Sequence, residues 1–183
     1  MVSGKEEISS LNEVSSLFAV KRFPKGSILL QQSEKCQYCY QVRSGCLRSF
    51  VIDSSAKEHV IQFAPENWLI TDMNSFLNDV TSVVNIDVIE DSEVIVYDKR
   101  ALGYLERLSK EILLSEITRL HKNVISHHNR IISLLRSTGE ERYMSFIDTY
   151  PSLYSRLPLK QIASYLGITP EYLSRIRKKL VQK

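Results

Sequence analysis

No apolar run in this 183-residue chain approaches the roughly 20 residues that span a bilayer. The opening residues, MVSGKEEISSLNEV, are polar and acidic and lack the hydrophobic stretch of a secretory leader. Such a chain is expected to stay in the cytoplasm. Cysteine is scarce, with Cys36, Cys39 and Cys46 alone. An odd thiol count without a leader argues against a disulfide scaffold. Cys36 and Cys39 have C-x-x-C spacing, which admits a metal or redox reading. Zinc and iron–sulfur clusters want four ligands, however, and no second pair lies nearby. Packed thiols are the favoured role. His121 and His128 read as surface residues, nothing pairs the histidines at ligand spacing, and no metal site is expected. Enzyme signatures are missing as well. There is no Gly-rich phosphate loop, no H-E-x-x-H, no G-x-S-x-G, and no carboxylate pair set apart from surface charge. No catalytic residue is assigned.

What is present has the balance of an ordinary globular protein, 43% hydrophobic and 25% charged, at a length that suits one large domain or two small ones. Ile8, Leu11, Val14 and Phe18 recur at helical spacing within residues 5–20. Then the pattern shortens. Phe23–Gly26 reads as a turn, Ser27–Gln31 carries Ile28, Leu29 and Leu30, and Tyr38–Val42 reads as a strand ending in an Arg43–Gly45 turn. Cys46–Ile52 and Glu58–Phe63 flank a polar hairpin tip, Asp53–Lys57. Val83–Ile89 and Glu93–Tyr97 are separated by a turn at Glu90–Ser92. Short strands punctuated by polar turns predict an antiparallel β sandwich or barrel.

From Asp98, which suits an N-cap, the pattern is helical. Leu113, Ile117, Leu120, Val124, His127, Ile131 and Leu134 step alternately by four and three, a heptad seam. The stripe is longer than one small barrel can cover, so a second copy of the same stripe is its favoured partner. The alternative is burial against the chain's own barrel, and both can hold at different ends. His127 is the polar member of the seam. It either fixes register or, as the spacing favours, faces water at the margin. Thr138 and Glu141 form a capping-box pattern starting a helix to Tyr150, and the polar tract around Gly139 reads as the hinge between domains.

The stretch LPLKQIASYLGITPEYLSRIRKKL, from Leu157 to Leu180, is the most specific. Its apolar residues, Ile162, Leu166, Ile168, Leu173 and Ile176, recur at three- and four-residue steps. Ala163 permits two helices to cross closely, Gly167 can end the first at positive φ, and Thr169–Pro170 can start the second. This is a helix-turn-helix of the DNA-binding kind. From Leu157 onward six basic residues face one acid, a net of +5, which leaves about −2 of the whole-chain +3 for the remainder. A basic end on a mildly acidic body suits a polyanion. Glu171 and Arg175 share one face of the second helix; Arg175 suits guanine and Glu171 a cytosine amino group. A surface salt bridge between them is the plain alternative. Tyr172 and Ser174 are further candidates for base contact, and Thr169, Arg177, Lys178 and Lys160 for phosphate contact.

The order of these parts resembles the Crp/Fnr family of bacterial transcription regulators over nearly the whole chain. Gly167–Leu180 is similar to the family's recognition helix, and Glu171 and Arg175 fall at its base-contacting positions. Looser likenesses to its cyclic-nucleotide-binding domain are F-x-K-G-x-x-L from Phe23, Y-x-V-x-x-G from Tyr40 and E-D-S-E-V from Glu90. The resemblance implies an α+β chain: an antiparallel β-roll or jelly-roll sensor domain over 1–110, a dimerisation helix over 111–137 and a helix-turn-helix domain over 138–183. It implies duplex DNA, a second copy of the chain and RNA polymerase as partners, and no membrane. Cyclic-AMP binders of the family carry Gly-Glu-Leu and, further on, an Arg. Thr71, Asp72 and Met73 stand in the first positions here, and Ser82 stands in place of the Arg, followed by Val83. A buried cyclic phosphate without its cation is costly. The pocket is therefore expected to be degenerate, without a cyclic-nucleotide cofactor, and either to take another effector or to be filled by side chains such as Trp68, Met73 and Phe76. Pro170 stands where many members have an Arg, so the operator should differ. The competing reading is a small-molecule or nucleotide sensor acting through protein contacts, with weak DNA binding.

Overall fold

The computed structural model describes residues 10–16 and 18–181. It begins with a short helix, α1 (Leu11–Ser16); residues 5–9 of the helix expected there lie outside the described residues. Strands β1 (Ala19–Phe23), β2 (Ile28–Leu30), β3 (Cys39–Ile52), β4 (Glu58–Ala64) and β5 (Leu69–Ile70) follow, then helix α2 (Met73–Asn78) and strand β6 (Asn85–Tyr97). All pairings are antiparallel. The order is β1-β6-β3-β4, with β2 on β6 and β5 on β3. Helix α3 (Arg100–Tyr104) and a 3-10 turn (Leu105–Arg107) lead into α4 (Lys110–Arg136), α5 (Gly139–Thr149), α6 (Leu159–Leu166) and α7 (Pro170–Val181).

Two expected turns are not turns. Arg43–Gly45 lies inside the 14-residue β3 and Glu90–Ser92 inside the 13-residue β6. The β3–β6 register shifts three times between Val42 and Leu47. Such bulges bend a strand without ending it. Gly45 sits at φ +90, and a Cβ there would collide with the Ser92 hydroxyl and the Asp91 carbonyl. The Ser92 hydroxyl accepts from the Cys46 N–H at 3.1 Å. The turn-like composition therefore marks a kink that the two strands share. Alternating residues on either side of it, such as Ile86 and Val88, then Val94 and Val96, fill the interior with Leu47, Ile70 and Phe76, as the period of two requires.

A second core lies between the roll and the C-terminal helices. Val60, Phe63 and Ile89 from the sheet are buried in one cluster with Phe146, Tyr150, Leu153, Ile162, Leu166, Leu173 and Ile176. The Phe63 ring lies 6.2 Å from Phe146 and 5.3 Å from Tyr165, and Trp68 lies 5.3 Å from Tyr150. The region read as the helix-turn-helix domain, residues 138–183, is thus packed on β4. Trp68, expected to fill a sensor pocket, serves this junction. Gly139 is not a free hinge either. It is buried at the first turn of α5 behind the Thr138–Glu141 capping box, and a Cβ on it would lie 2.6 Å from the Tyr172 ring. The sequence marks Gly139 as flexible, whereas its smallness is what the packing uses.

Candidate functional site

The helix-turn-helix is α6, a three-residue turn and α7. Gly167 ends α6 at φ 65, its N–H bonding back to Ala163 and Ser164. The Thr169 hydroxyl accepts from the Tyr172 N–H at 3.2 Å, which satisfies one of the donors left free at a helix start. Ile162, Ala163, Leu166, Leu173 and Ile176 are buried and set the crossing. Glu171, Arg175 and Lys178 are exposed on the opposite side of α7. Among the described residues no carboxylate pairs with Arg175, Lys178 or Lys160. The salt bridge between Glu171 and Arg175 is not formed. Arg175 instead lies over the Tyr172 ring, 5.4 Å from its centroid, leaving the planar end of the guanidinium outward.

Two of the predicted contact residues have partners inside the chain. Arg177 turns back into the protein: it donates to the Tyr154 carbonyl at 3.0 Å and stacks on Tyr143. Two residues on from Arg175, Arg177 lies about 200° around α7 and so on the nearly opposite face, a separation the helical period already implies. Tyr172 keeps an exposed edge, yet its ring covers Gly139, so it braces α7 before it can read a base. Ser174 is half-buried. Lys179 donates to Glu140 at 2.6 Å, tying α7 to α5.

Three side chains with no distinguishing pattern in the sequence fix this unit to the roll. Arg156, in the loop between α5 and α6, holds Glu66 at 2.9 Å and Glu90 at 2.5 Å. The Arg156 guanidinium holds the Glu66 carboxyl below its usual range, against some opposing burial. Ser164 on α6 accepts from the Val60 N–H at 3.0 Å and donates to the Glu58 carbonyl at 2.8 Å, joining the free edge of β4. Arg130 on α4 donates to the carbonyls of Val60 (3.0 Å) and Tyr165 (2.8 Å). Each pairs residues far apart in sequence, so no local pattern announces them.

The segment matching the phosphate cassette is closed on itself. Asp72 is the N-cap of α2: one carboxylate oxygen accepts from the Ser75 N–H at 3.1 Å. The other accepts from the Ser82 hydroxyl at 2.8 Å and the Val83 N–H at 3.2 Å. The donors in this corner thus already carry an anion, supplied by the chain. Ser82 is 2% exposed. Thr71 donates to the Tyr38 carbonyl at 3.0 Å and touches the Cys36 sulfur. Met73 and Val83 are exposed, whereas Phe76 is buried in the roll and Trp68 packs, partly buried, against the same interior as well as against the junction. Cys36 and Cys46 are buried, and burial pushes the Cys46 thiol up to about 12, which keeps it protonated and inert.

On α4, the middle of the heptad seam is uncovered in the single chain: Ile117 is 47%, Val124 67% and Ile131 56% exposed. At its N-terminal end Leu113 packs with Leu108, Ile112 and Tyr104; at its C-terminal end Leu134 is still 40% exposed. His127 is exposed.

A bent antiparallel roll, a 27-residue helix with a bare apolar stripe, and a helix-turn-helix with an outward cationic face define a two-part regulator with a sensor-type roll. Comparison with known proteins gives the same answer. Residues 20–106 match the cyclic nucleotide-binding domain family. The chain is 25% identical to the anaerobic regulatory protein of Haemophilus influenzae, covering 94% of this chain and 70% of that protein. It is 23% identical to the transcriptional activator FnrA of Stutzerimonas stutzeri, covering 83% and 66%. The chain thus spans about two thirds of the length of these curated relatives. Its fold superposes on FixK2 of Bradyrhizobium japonicum with a TM-score of 0.73 at 18% identity, covering 90% and 85% of the two chains. For CLP, described as a c-di-GMP responsive global regulator of Xanthomonas campestris, the score is 0.72 at 16% identity, covering 94% and 90%. Over most of its length the chain is similar to regulators of the Crp/Fnr type, and these relatives are regulators and not enzymes. Among the described residues no helix is long and apolar enough to cross a membrane.

Proposed function

We propose that this chain binds an inverted DNA repeat as a dimer, in the cytoplasm, and regulates transcription there through contact with RNA polymerase. The bare stripe of α4 is the dimer surface, and α7 is the helix that enters the major groove. The observation carrying the reading is the outward row of Glu171, Arg175 and Lys178, free of carboxylate partners for its cations, on a helix whose other face is fully buried. Arg175 reads a base, with Glu171 beside it; Lys160 and Lys178 hold phosphates. The cassette does not take a cyclic nucleotide, because Asp72 already occupies its donors and no Arg stands at Ser82 to neutralise a phosphate.

Selection of bound sequences from a random duplex pool tests this directly. An enriched two-fold-symmetric site, with half-sites about one helical turn apart, is expected. Arg175→Ala should reduce preference for that site by about 10- to 100-fold while non-specific binding survives. Two lysines on each of two copies predict a slope of log K against log salt near −4. Absence of an enriched sequence overturns the reading, and equal loss on specific and random DNA overturns the role of Arg175. Calorimetry with cyclic AMP and cyclic GMP should register no binding.

A further inference from the structure

A cleft of about 320 Å³ lies between α4, α5 and the end of α6, away from the cassette of the roll. Two arginines line it, Arg130 from α4 and Arg142 from α5. Among the described residues neither has a carboxylate partner. Each has a buried Nε–H with no acceptor. A buried donor left unpaired costs about 1–3 kcal/mol, and more for a charged group; neither Nε–H is itself open to the cleft, so what the cleft meets is the positive charge of two guanidinium groups without a carboxylate beside them. Both guanidinium groups are held in place from their other ends. Arg130 is fixed by the Val60 and Tyr165 carbonyls and stacks 4.1 Å above the Tyr165 ring. Arg142 donates to the Ser137 carbonyl at 2.7 Å. Ser126, Asn129, Ser133 and Ser145 add hydroxyl and amide groups, while Leu134, Phe146 and Leu166 supply apolar wall. A cleft of this size that sets two cations, hydroxyls and an amide beside an apolar and aromatic wall suits a small, amphiphilic anion.

We propose that this cleft binds a small molecule with an oxyanion head, carboxylate or phosphate, on an apolar or aromatic body. The planar guanidinium forks hold the head, and Leu134 and Phe146 contact the body. Ser126, Asn129 and Ser133 lie on a face of α4 turned well away from Ile117, Val124 and Ile131, so the site and a dimer seam coexist on one helix. An occupant touches α4, α5 and α6 at once, and through Arg130 it is coupled to β4. It therefore sets how the helix-turn-helix sits against the dimer helix, without using the nucleotide cassette. The site does not depend on the DNA-binding reading, and its test uses no DNA.

The full chain is titrated by calorimetry with phenyl phosphate, benzoate and, as a neutral control of the same shape, benzyl alcohol. At least one anion should bind 10-fold or more tightly than benzyl alcohol. Arg142→Met, which keeps the stem and removes the charge, should weaken that anion at least 10-fold. Ser133→Leu, which fills the cleft and leaves the charges alone, should weaken it as much, and it decides the matter should the arginine variant misfold by circular dichroism. Anions binding no tighter than benzyl alcohol overturn the proposal. So does a folded variant of either kind whose affinity stays within twofold of the original.

Discussion

Replacing Arg156 with methionine should loosen the junction between the helix-turn-helix and the roll while leaving the roll intact. Its guanidinium meets both oxygens of Glu66 (2.9 and 3.2 Å) and both of Glu90 (2.5 and 3.2 Å). An exposed ion pair contributes about 0.2–1 kcal/mol. Here each carboxylate is held at two points, but the Arg156 side chain is 30% exposed, so water still screens the pairs. The two together therefore contribute about 1–2 kcal/mol. At about 1.4 kcal/mol per decade, opening of the junction should become about 5- to 30-fold more frequent. Hydrogen exchange reads this at one amide. The Val60 N–H donates across the junction to the Ser164 hydroxyl, so its exchange should accelerate by that factor. The Val88 N–H, bonded to the Ser27 carbonyl within the roll, should keep its rate. Acid should act like the mutation. The Glu66 pKa is lowered by Arg156, so this contribution is complete above the usual carboxylate range and disappears as pH falls through the lowered value. Equal acceleration of Val60 and Val88, or of neither, would refute the assignment of Arg156 as the clasp.

Asp72→Ala removes the α2 cap and the acceptor for Ser82 and Val83. It should cost about 1–2 kcal/mol in urea unfolding, and an unchanged midpoint would show that the closed cassette contributes nothing. Gly139→Ala would ordinarily favour a helix by about 0.5–1 kcal/mol. Because its Cβ meets Tyr172 at 2.6 Å, we expect instead a loss of about 1–3 kcal/mol by thermal unfolding, and a stabilised variant would contradict the close approach. Val124→Asp with Ile131→Asp should convert a dimer to a monomer in sedimentation with helix content retained, since two charges would be buried in an apolar seam; a persisting dimer would mean that the stripe is not the interface.

The helix-turn-helix was legible because its constraints are local. A glycine at positive φ, a threonine cap and apolar residues at helical period all lie within about two dozen residues, and each acts through neighbours in the chain. The same holds for the capping box at Thr138 and the period-two strands. Where sequence and structure part, the cause is a contact between distant segments. Residues 43–45 and 90–92 have turn composition, but they lie opposite one another, and ladder bonds to the partner strand carry the chain through as a bulge. Gly139 has the composition of a hinge until Tyr172, 33 positions away, is laid against it. Arg156, Ser164 and Arg130 are ordinary polar residues in sequence and become fasteners when β4 and β6 are brought to them. Arg130 and Arg142 come to line one cleft only when α4, α5 and α6 are packed together. Patterning along the chain thus settled most of which segments are helix or strand and which face each buries, because those are short-range energies. The docking of one part on another, and the side chains left facing a cavity, were decided by tertiary packing, which places groups together irrespective of their distance in sequence.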